Sequence, residues 1–309
     1  MIQYLYLGRV PYAEALRLQE ELVALRQQDR IANTLLLLEH PPVLTLGRNA
    51  SRSNVLASDE LLAARGITLH EINRGGDVTY HGPGQLIGYP IFDLRSVRSP
   101  NGSRLGPVDF VRLMEEALIR LCGEFAVSAG RIPGLTGVWT GLPSAAAEGS
   151  PKLGQPQDTS QEAMCTAPVS SSKGMPAAGA KIAAIGIHIA RGVTSHGFAF
   201  NVTTDLRDFT LINPCGITSR PVTSLEKEVS CPETLPTLES IAHQAARQLG
   251  HVFNEQMLAL ASLDVLRAQL QSQLQPAPAA PDFPAQDTPL QVPPEIERLR
   301  RSKDRPVSA

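Results

Sequence analysis

The sequence has little of what marks a disulfide scaffold or a structural zinc site. Its 309 residues include four cysteines, at positions 122, 165, 215 and 231, with no C-x-x-C pair and no regular spacing. Disulfide frameworks and zinc sites place cysteines in close pairs or at repeated intervals. The pattern therefore argues against both, and we expect the thiols to be reduced.

The chain also lacks a charge excess and a long hydrophobic run. It has 28 basic and 30 acidic residues, for a net charge of -2, which argues against a nucleic-acid binder. The apolar run at residues 35–38 is far shorter than the roughly 20 residues that cross a bilayer. Residues 1–5 show no basic region followed by an apolar, cleavable segment. We expect a soluble, cytoplasmic protein that contacts no membrane.

Two segments differ in composition from the rest of the chain. Residues 142–180 include 4 Gly, 5 Pro, 6 Ser and 8 Ala and no aromatic residue, and residues 276–309 include 8 prolines. Such segments bury too little apolar surface to offset the entropy lost on ordering. The predicted organisation is one domain over residues 1–275, with a low-complexity insertion at 142–180 that loops out, and a disordered tail at 276–309.

Hydrophobic periodicity predicts the main elements of this domain. Helices are predicted at 15–25, 110–121 with Pro107 in the first turn, 238–249 stopped by Gly250, and 257–274. Strands are predicted at 34–38, closed by two prolines, at 185–189, and at 197–202 paired nearby. The order is mixed and shows no steady strand–helix alternation. It predicts an α/β fold of the mixed α+β kind, with mixed sheets flanked by helices.

The densest polar stretch is R-G-G-D-V-T-Y-H-G-P-G-Q at residues 74–85. Glycine permits positive φ and close backbone approach, so that backbone N–H groups can line a ligand. The clustering of one Arg, one Tyr and one His among four glycines favours a binding loop. An ordinary glycine-rich turn is the alternative.

Cys215 is a candidate nucleophile because it lies in the turn-forming sequence N-P-C-G, whereas the helical neighbours of Cys122 indicate burial. A lone cysteine is more often a small core residue. A thiol with a pKa of about 8.5 is mostly protonated at neutral pH, so catalysis needs a nearby cation or base. The candidates are Lys181, His81 and His196. Lys181 is equally well explained as a solvated strand end.

Two further histidine motifs have alternative explanations. Residues 39–48, E-H-P-P-V-L-T-L-G-R, predict a strand, a rigid turn and a second strand, which suits a hairpin corner as well as a site. His196 precedes a glycine at a strand start, where an edge histidine bound to water is the alternative. Composition does not decide between these alternatives.

Five motifs taken together resemble the octanoyltransferase, or lipoate-protein ligase B, family over residues 1 to about 250. They are His40-Pro41-Pro42-Val43 with Thr45-Leu46-Gly47-Arg48, then Arg74-Gly75-Gly76 through Gln85, Lys181-Ile182-Ala183-Ala184-Ile185-Gly186, His196-Gly197-Phe198-Ala199 with Asn201, and Asn213-Pro214-Cys215-Gly216. The resemblance implies the fold of biotin and lipoate protein ligases.

The resemblance also implies a reaction without cofactor or metal. An octanoyl group would move from octanoyl-acyl carrier protein to a lysine of the lipoyl domains of 2-oxoacid dehydrogenases and of the glycine cleavage H protein, with the enzyme a monomer. Cys215 would carry the acyl group as a thioester, and Lys181 would lower the thiol pKa and shuttle protons. The implied substrate-binding residues are Arg74, Gly75, Gly76, Asp77, Val78, Thr79, Tyr80, His81, Ala184, Ile185, Gly186, Gly197, Phe198 and Ala199.

The chain departs from the family pattern at Asp77, where glutamine is common, and in the insertion directly before Lys181. Three other functions stay open. An ATP-dependent lipoate or biotin ligase would need no nucleophilic Cys215, and the chain has no G-R-G-R-x-G phosphate loop. A catalytically silent protein that only binds an acyl carrier or lipoyl domain, and a cysteine thioesterase, are the others. For acidic partner domains we expect a basic rim that includes Arg48, Arg74 and Arg191.

Overall fold

The strands that the structure describes form two sheets. The computed structural model describes residues 1–98, 102–142, 179–213 and 220–274. Most of the expected insertion, the whole expected tail and Cys215 lie outside the described residues. Residues Met1–Leu270 form one compact unit.

The described elements alternate irregularly along the chain, as the sequence predicts. The helices are α1 Tyr12–Gln27, α2 Asp59–Ala64, α3 Pro107–Glu124, α4 Leu225–Glu228, α5 Leu238–Phe253 and α6 Leu263–Leu274. The strands are β1 Ile2–Arg9, β2 Asn33–Glu39, β3 Val43–Leu46, β4 Thr68–Glu71, β5 Val78–His81, β6 Gln85–Ile91, β7 Ala129–Ile132, β8 Leu135–Thr140, β9 Ala180–Ala190, β10 Val193–Asn201 and β11 Met257–Ala259.

The larger sheet has eight strands in the order β11-β1-β2-β6-β10-β9-β8-β7. β1 runs parallel to β11 and β2, and every other neighbouring pair is antiparallel. The second sheet has the order β4-β3-β5, with β3 parallel to β4 and antiparallel to β5. The predicted mixed sheets are therefore confirmed.

Helices cover both faces of the larger sheet because strand residues alternate between them. In β2, Leu35 and Leu37 join the core formed with α3 and α5, whereas Leu36 and Leu38 join the core formed with α1 and α6. All four leucines are 0% exposed. A continuous apolar run is thus the signature of a strand buried on both sides, as predicted for residues 34–38.

The smaller sheet has its own core, built from β3, β5, α2 and the 3-10 helix Leu206–Leu211. β3 follows β2 after only three residues but pairs with different strands. The H-P-P segment therefore connects two sheets and does not form a hairpin corner. Its prolines account for the break, because they cannot donate ladder hydrogen bonds.

The predicted end of α5 and the predicted last helix are both wrong. α5 continues through Gly250 to Phe253 and is capped by Asn254, which has a left-handed conformation, φ 52° and ψ 44°. A Cβ on Gly250 would lie 2.5 Å from Met257 Cγ, so close packing requires this glycine. Residues 257–259 form β11 beside β1, which leaves α6 shorter than predicted.

The ends of the insertion are held by strand pairing. Thr140 of β8 pairs with Ala180 of β9 in the antiparallel ladder, and Trp139 pairs with Lys181. The register of Lys181 is therefore set by β8 directly. In the described part of the chain, no helix is long and apolar enough to span a bilayer.

Candidate functional site

The candidate site lies where the two sheets meet, in a cavity of about 390 Å³. The loop before β5 crosses to the larger sheet, and the Gly75 N–H donates to Ile187 O of β9 at 3.0 Å. A Cβ on Gly186 would lie 2.7 Å from Gly75 O. The glycines of both motifs are thus needed for a close approach of two backbones.

The cavity brings together nearly all the residues predicted for the site. Those that line it are Arg74, Gly75, Gly76, Asp77, Val78, Thr79, His81, Lys181, Ala184, Ile185, Gly186, Gly197, Phe198 and Ala199. Tyr80 is the exception among the described candidates. Alternation along β5 turns its side chain to the opposite face, where the ring packs against Phe209 with centroids 5.4 Å apart.

Arg74 is buried, and it does not belong to the exposed basic rim that was expected from the sequence. The residue is only 8% exposed to solvent. Nη2 donates to Thr45 O at 2.7 Å and to Thr45 Oγ1 at 3.0 Å, and Nη1 donates to Gly75 O at 3.0 Å. The guanidinium group therefore ties the glycine loop to β3. The other two arginines expected for a basic rim, Arg48 and Arg191, are exposed.

Two buried histidines, His81 and His196, line the cavity, and a third, His40, lies next to His81. His40 Nδ1 donates to Val10 O at 2.7 Å, which leaves Nε2 to accept from the Tyr89 hydroxyl at 2.7 Å. His81 Nδ1 donates to Gln85 Oε1 at 2.8 Å. Burial is the main cause that lowers the pKa of His40 to about 4, of His81 to about 3 and of His196 to about 4.

These pKa values bear on the activation of a thiol. At neutral pH His81 and His196 are uncharged and weak bases, so neither supplies the cation that a thiolate needs. Lys181 is the one candidate of the three that carries a charge there by its chemical type. Among the described residues no three His, Cys, Asp or Glu side chains are grouped as metal ligands.

Lys181 is held by backbone pairing on both sides, with β8 on one and residues 221–223 on the other. Its side-chain Nζ lies 4.7 Å from the centroid of the Trp139 ring. Its backbone N–H donates to Pro221 O at 2.9 Å, and its carbonyl accepts from the Thr223 N–H at 2.9 Å. The chain that follows the N-P-C-G motif therefore returns to Lys181.

The hydrogen bonds of the cavity wall extend to that returning chain. Gln85 Nε2 donates to Asn201 Oδ1 at 2.8 Å, and Asn201 Nδ2 donates to Thr223 O at 2.9 Å. Gln85 and Asn201 are both at most 4% exposed. Two motifs that are distant in sequence thus hold one segment beside Lys181.

Both flanks of the six residues 214–219, which include Cys215, are held at this site. On one side the Asn213 N–H donates to Asn54 O at 2.7 Å, and Asn54 Nδ2 donates to Asp77 Oδ2 at 2.6 Å. On the other side the Arg220 guanidinium carbon lies 5.7 Å from the Trp139 ring centroid. Asp77 thus has a positioning contact at the place where the family commonly has glutamine.

Several lining residues were missed from the sequence. They are Tyr12 of α1, Tyr89 of β6, Val111 of α3, and Gly134, Leu135 and Thr136 at the turn into β8, together with Ile187. Ile187 continues the alternation of the predicted strand and was within reach of sequence reasoning. The others come from distant elements that only the tertiary fold brings to the cavity.

Comparisons with known proteins agree on one family. The model of the lipoyl protein ligase A/B catalytic domain matches residues 11–249. An octanoyltransferase of Acidobacterium capsulatum is 56% identical over 263 residues, covering 85% of this chain and 94% of the relative. One of Koribacter versatilis is 49% identical over 266 residues, covering 86% and 90%.

Solved structures show the same fold at low sequence identity. A bipartite lipoate protein ligase of Thermoplasma acidophilum superposes with a TM-score of 0.54 at 13% identity, covering 88% of this chain and 91% of that one. A lipoate-protein ligase A bound with ATP superposes with a TM-score of 0.53 at 13% identity, covering 88% and 94%.

Proposed function

The chain belongs to the octanoyltransferases of the lipoyl protein ligase A/B catalytic domain family, and we propose that it moves an octanoyl group from acyl carrier protein to lipoyl domains through a thioester on Cys215. The enzyme is an acyltransferase. The observation that carries the proposal is that both flanks of residues 214–219 are held at the cavity beside Lys181. Asn213 is only two residues from Cys215, a stretch of at most about 7 Å.

In the first step the Cys215 thiolate attacks the carbonyl carbon of the carrier thioester. The new C–S bond forms as the bond to the carrier sulfur breaks, and the Lys181 ammonium group protonates the departing thiolate. Exchange of one thioester for another is nearly isoenergetic, so no nucleotide is consumed. An ammonium group near Cys215 favours the thiolate, which is the nucleophilic form.

In the second step the amine of the acceptor lysine attacks the Cys215 thioester. An amide C–N bond forms, the C–S bond breaks, and the neutral Lys181 amine takes the proton that the attacking amine loses. Cys215 is again a thiolate and Lys181 again an ammonium group. This step runs downhill because an amide replaces a thioester.

The cavity suits a medium-length acyl chain. Its volume of about 390 Å³ lies within the range of about 300–1,000 Å³ that is typical of small-molecule sites. Val111, Leu135, Ile185, Ile187 and Phe198 supply apolar lining. Burial of the chain methylenes at about 0.8 kcal/mol each gives roughly 5 kcal/mol of recognition.

The macromolecular partners are those that the resemblance to the octanoyltransferase family implies. We propose the lipoyl domains of 2-oxoacid dehydrogenases and the glycine cleavage H protein as acceptors, with the enzyme acting as a cytoplasmic monomer. Arg48 and Arg191 are exposed and fit an acidic donor or acceptor. Electrostatic steering of that kind weakens with salt, so transfer rates should fall as ionic strength rises.

Mass spectrometry of the loaded enzyme tests the thioester. After incubation with octanoyl-acyl carrier protein, we expect one octanoyl mass on a peptide that contains Cys215, and its loss in Cys215→Ser. An apo lipoyl domain should discharge the adduct without ATP. Cys122→Ser is the matched control, because Cys122 is 0% exposed and burial raises the pKa of its thiol to about 12.

Each alternative function has its own result in this experiment. A strict requirement for ATP would indicate a ligase. Hydrolysis of the adduct at the same rate with and without lipoyl domain would indicate a thioesterase. An enzyme that binds both domains and never acquires the octanoyl mass would be a silent binding protein.

A further inference from the structure

Trp139 is the single tryptophan of the chain and one of its largest fully buried side chains. Two cationic groups face its ring. The Nζ atom of Lys181 lies 4.7 Å from the ring centroid, and the guanidinium carbon of Arg220 lies 5.7 Å from it. Both distances are within the about 6 Å at which a cation is attracted to an aromatic face.

A hydrogen bond does not account for an indole at this position. Trp139 Nε1 is buried and has no hydrogen-bond partner among the residues that the structure describes. A buried tryptophan usually finds such a partner, and an unmade bond destabilises the fold. A phenylalanine, although smaller, has no N–H group to leave without a partner. What the indole adds is the ring face that attracts cations most strongly.

The backbone around Trp139 is shaped to bring Lys181 over the ring. Val138 pairs with Ala183 and Trp139 with Lys181, so β9 has one extra residue, Ile182, in a bulge. Gly137 has a φ of +124°, and a Cβ there would lie 2.5 Å from Ala183 O and 3.3 Å from Lys181 Cε. No side chain at position 137 therefore competes with Lys181.

The ring and the ammonium group stand at the edge of a second, small cavity. It has about 30 Å³, room for a water molecule, and shares Thr79, Lys181, Ala184 and Ala199 with the acyl cavity. Lys181 thus lies between the space for the acyl chain and this small, mostly apolar cavity, to whose lining Gln85 and Asn201 contribute polar groups.

We propose that Trp139 is a positioning residue for Lys181, whose ring holds the ammonium group at the boundary of the two cavities and keeps it protonated until acyl transfer begins. The role of that proton rests on the function proposed above, whereas the contact itself does not. In the part of the chain that the structure describes, the other titratable or charged groups on the cavity walls are Arg74, Asp77, His81, His196, Tyr12 and Tyr89. Arg220 lies over the same ring, Glu115 accepts from the Gly137 N–H, and Glu228 accepts from the hydroxyl of Thr223 beside Lys181.

Fluorescence of the single tryptophan reports the contact without any substrate. Loss of the Lys181 charge should change Trp139 emission, so a titration between pH 7 and 11 should show a transition that Lys181→Met abolishes. Tyrosine ionisation contributes equally in both proteins and is removed by subtraction. Lys227→Met, in α4, is the matched control and should keep the transition. Far-UV circular dichroism checks that the protein stays folded over this range.

Fluorinated tryptophans then separate attraction from packing. Each fluorine added to the indole ring of Trp139 leaves the shape of the ring and its N–H group nearly unchanged. It withdraws electron density from the face of the ring and so weakens the attraction to the Lys181 ammonium group. We expect the Lys181-dependent midpoint to move to lower pH with each fluorine. Complete loss of the attraction corresponds to about 0.4 to 1.5 pH units. The alkaline limb of kcat/KM for octanoyl transfer should move by the same amount.

Two results would overturn the proposal. One is an emission titration with no component that Lys181→Met removes. The other is a midpoint that stays constant across the fluorinated series, with transfer rates lowered by one factor at every pH, as loss of packing would cause. If Cys215 never acquires an octanoyl group but the midpoint moves as expected, the function proposed above fails and the contact between Trp139 and Lys181 stands.

Discussion

The buried histidines predict that the protein loses stability in mild acid. Folded pKa values of about 4 for His40, about 3 for His81 and about 4 for His196 lie below the ordinary value of 6.5. The unfolded chain therefore binds more protons than the folded one between about pH 4 and 6.5. Stability rises with pH wherever that is so, and it falls as the pH drops through this window.

The size of the effect follows from these values. Near about pH 5.5 an unfolded histidine is about nine-tenths protonated, whereas each of the three folded ones carries almost no proton. Each contributes a slope of about 1.2 kcal/mol per pH unit, and three independent groups contribute roughly 3.6. Against a total stability of about 5–15 kcal/mol, the loss between pH 6.5 and 5 is large.

Urea unfolding at a series of pH values between 5 and 7.5 measures the slope. His196→Asn should lower it by about a third, because asparagine does not titrate and tolerates the positive φ of 55° at this position. The exposed His251→Asn is the control and should leave the slope unchanged. A free energy of unfolding that stays flat from pH 6.5 to 5, or an unaltered slope in His196→Asn, would refute the reasoning.

Two other changes test the packing around the site. Gly186→Ala places a Cβ 2.7 Å from Gly75 O and so forces the glycine loop away from β9. We therefore expect a higher KM for octanoyl-acyl carrier protein in steady-state kinetics. Gly123→Ala is the control and should leave KM unchanged, because a Cβ at position 123 meets open space. An equal KM in both variants would contradict the close approach. Glu115→Gln removes the charge of a 0% exposed side chain that binds Arg112, Arg131 and the Gly137 N–H. We expect the free energy of unfolding in urea to fall by about 2 kcal/mol, whereas the exposed Glu239→Gln should stay within about 0.5 kcal/mol of the parent. An unchanged free energy of unfolding in Glu115→Gln would contradict the role of the buried network.

Local patterns of apolar residues are sufficient to predict the helices and strands whose buried faces are continuous along their length. The apolar periods of α1 and α3 indicate helices with one buried face, the apolar run in β2 indicates a strand buried on both faces, and all three elements form as predicted. The end of α5 was mispredicted because a glycine usually ends a helix, while here Gly250 makes room for Met257. Position 257 belongs to an edge strand, and three residues are too few for a periodic signal.

The candidate site also has residues that the sequence predicts and residues that only the tertiary fold identifies. Glycine motifs could be predicted to line a ligand because they are contiguous, and the cavity gathers them. The side-chain direction of Tyr80 depends on the phase of β5, which the motif does not specify. Tyr12 and Val111 belong to helices distant in sequence, so their approach to β9 and β10 follows only from how α1 and α3 pack on opposite faces of the sheet.

The pairing of Thr140 with Ala180 has a consequence for protein engineering. These residues are neighbours across a ladder, although 39 positions separate them in the chain. The free energy of closing a connection depends only weakly on its length, and opening the chain between Thr140 and Ala180 interrupts no described strand of either sheet. A circular permutant that begins at Ala180 would start one residue ahead of Lys181 and keep every described strand of both sheets.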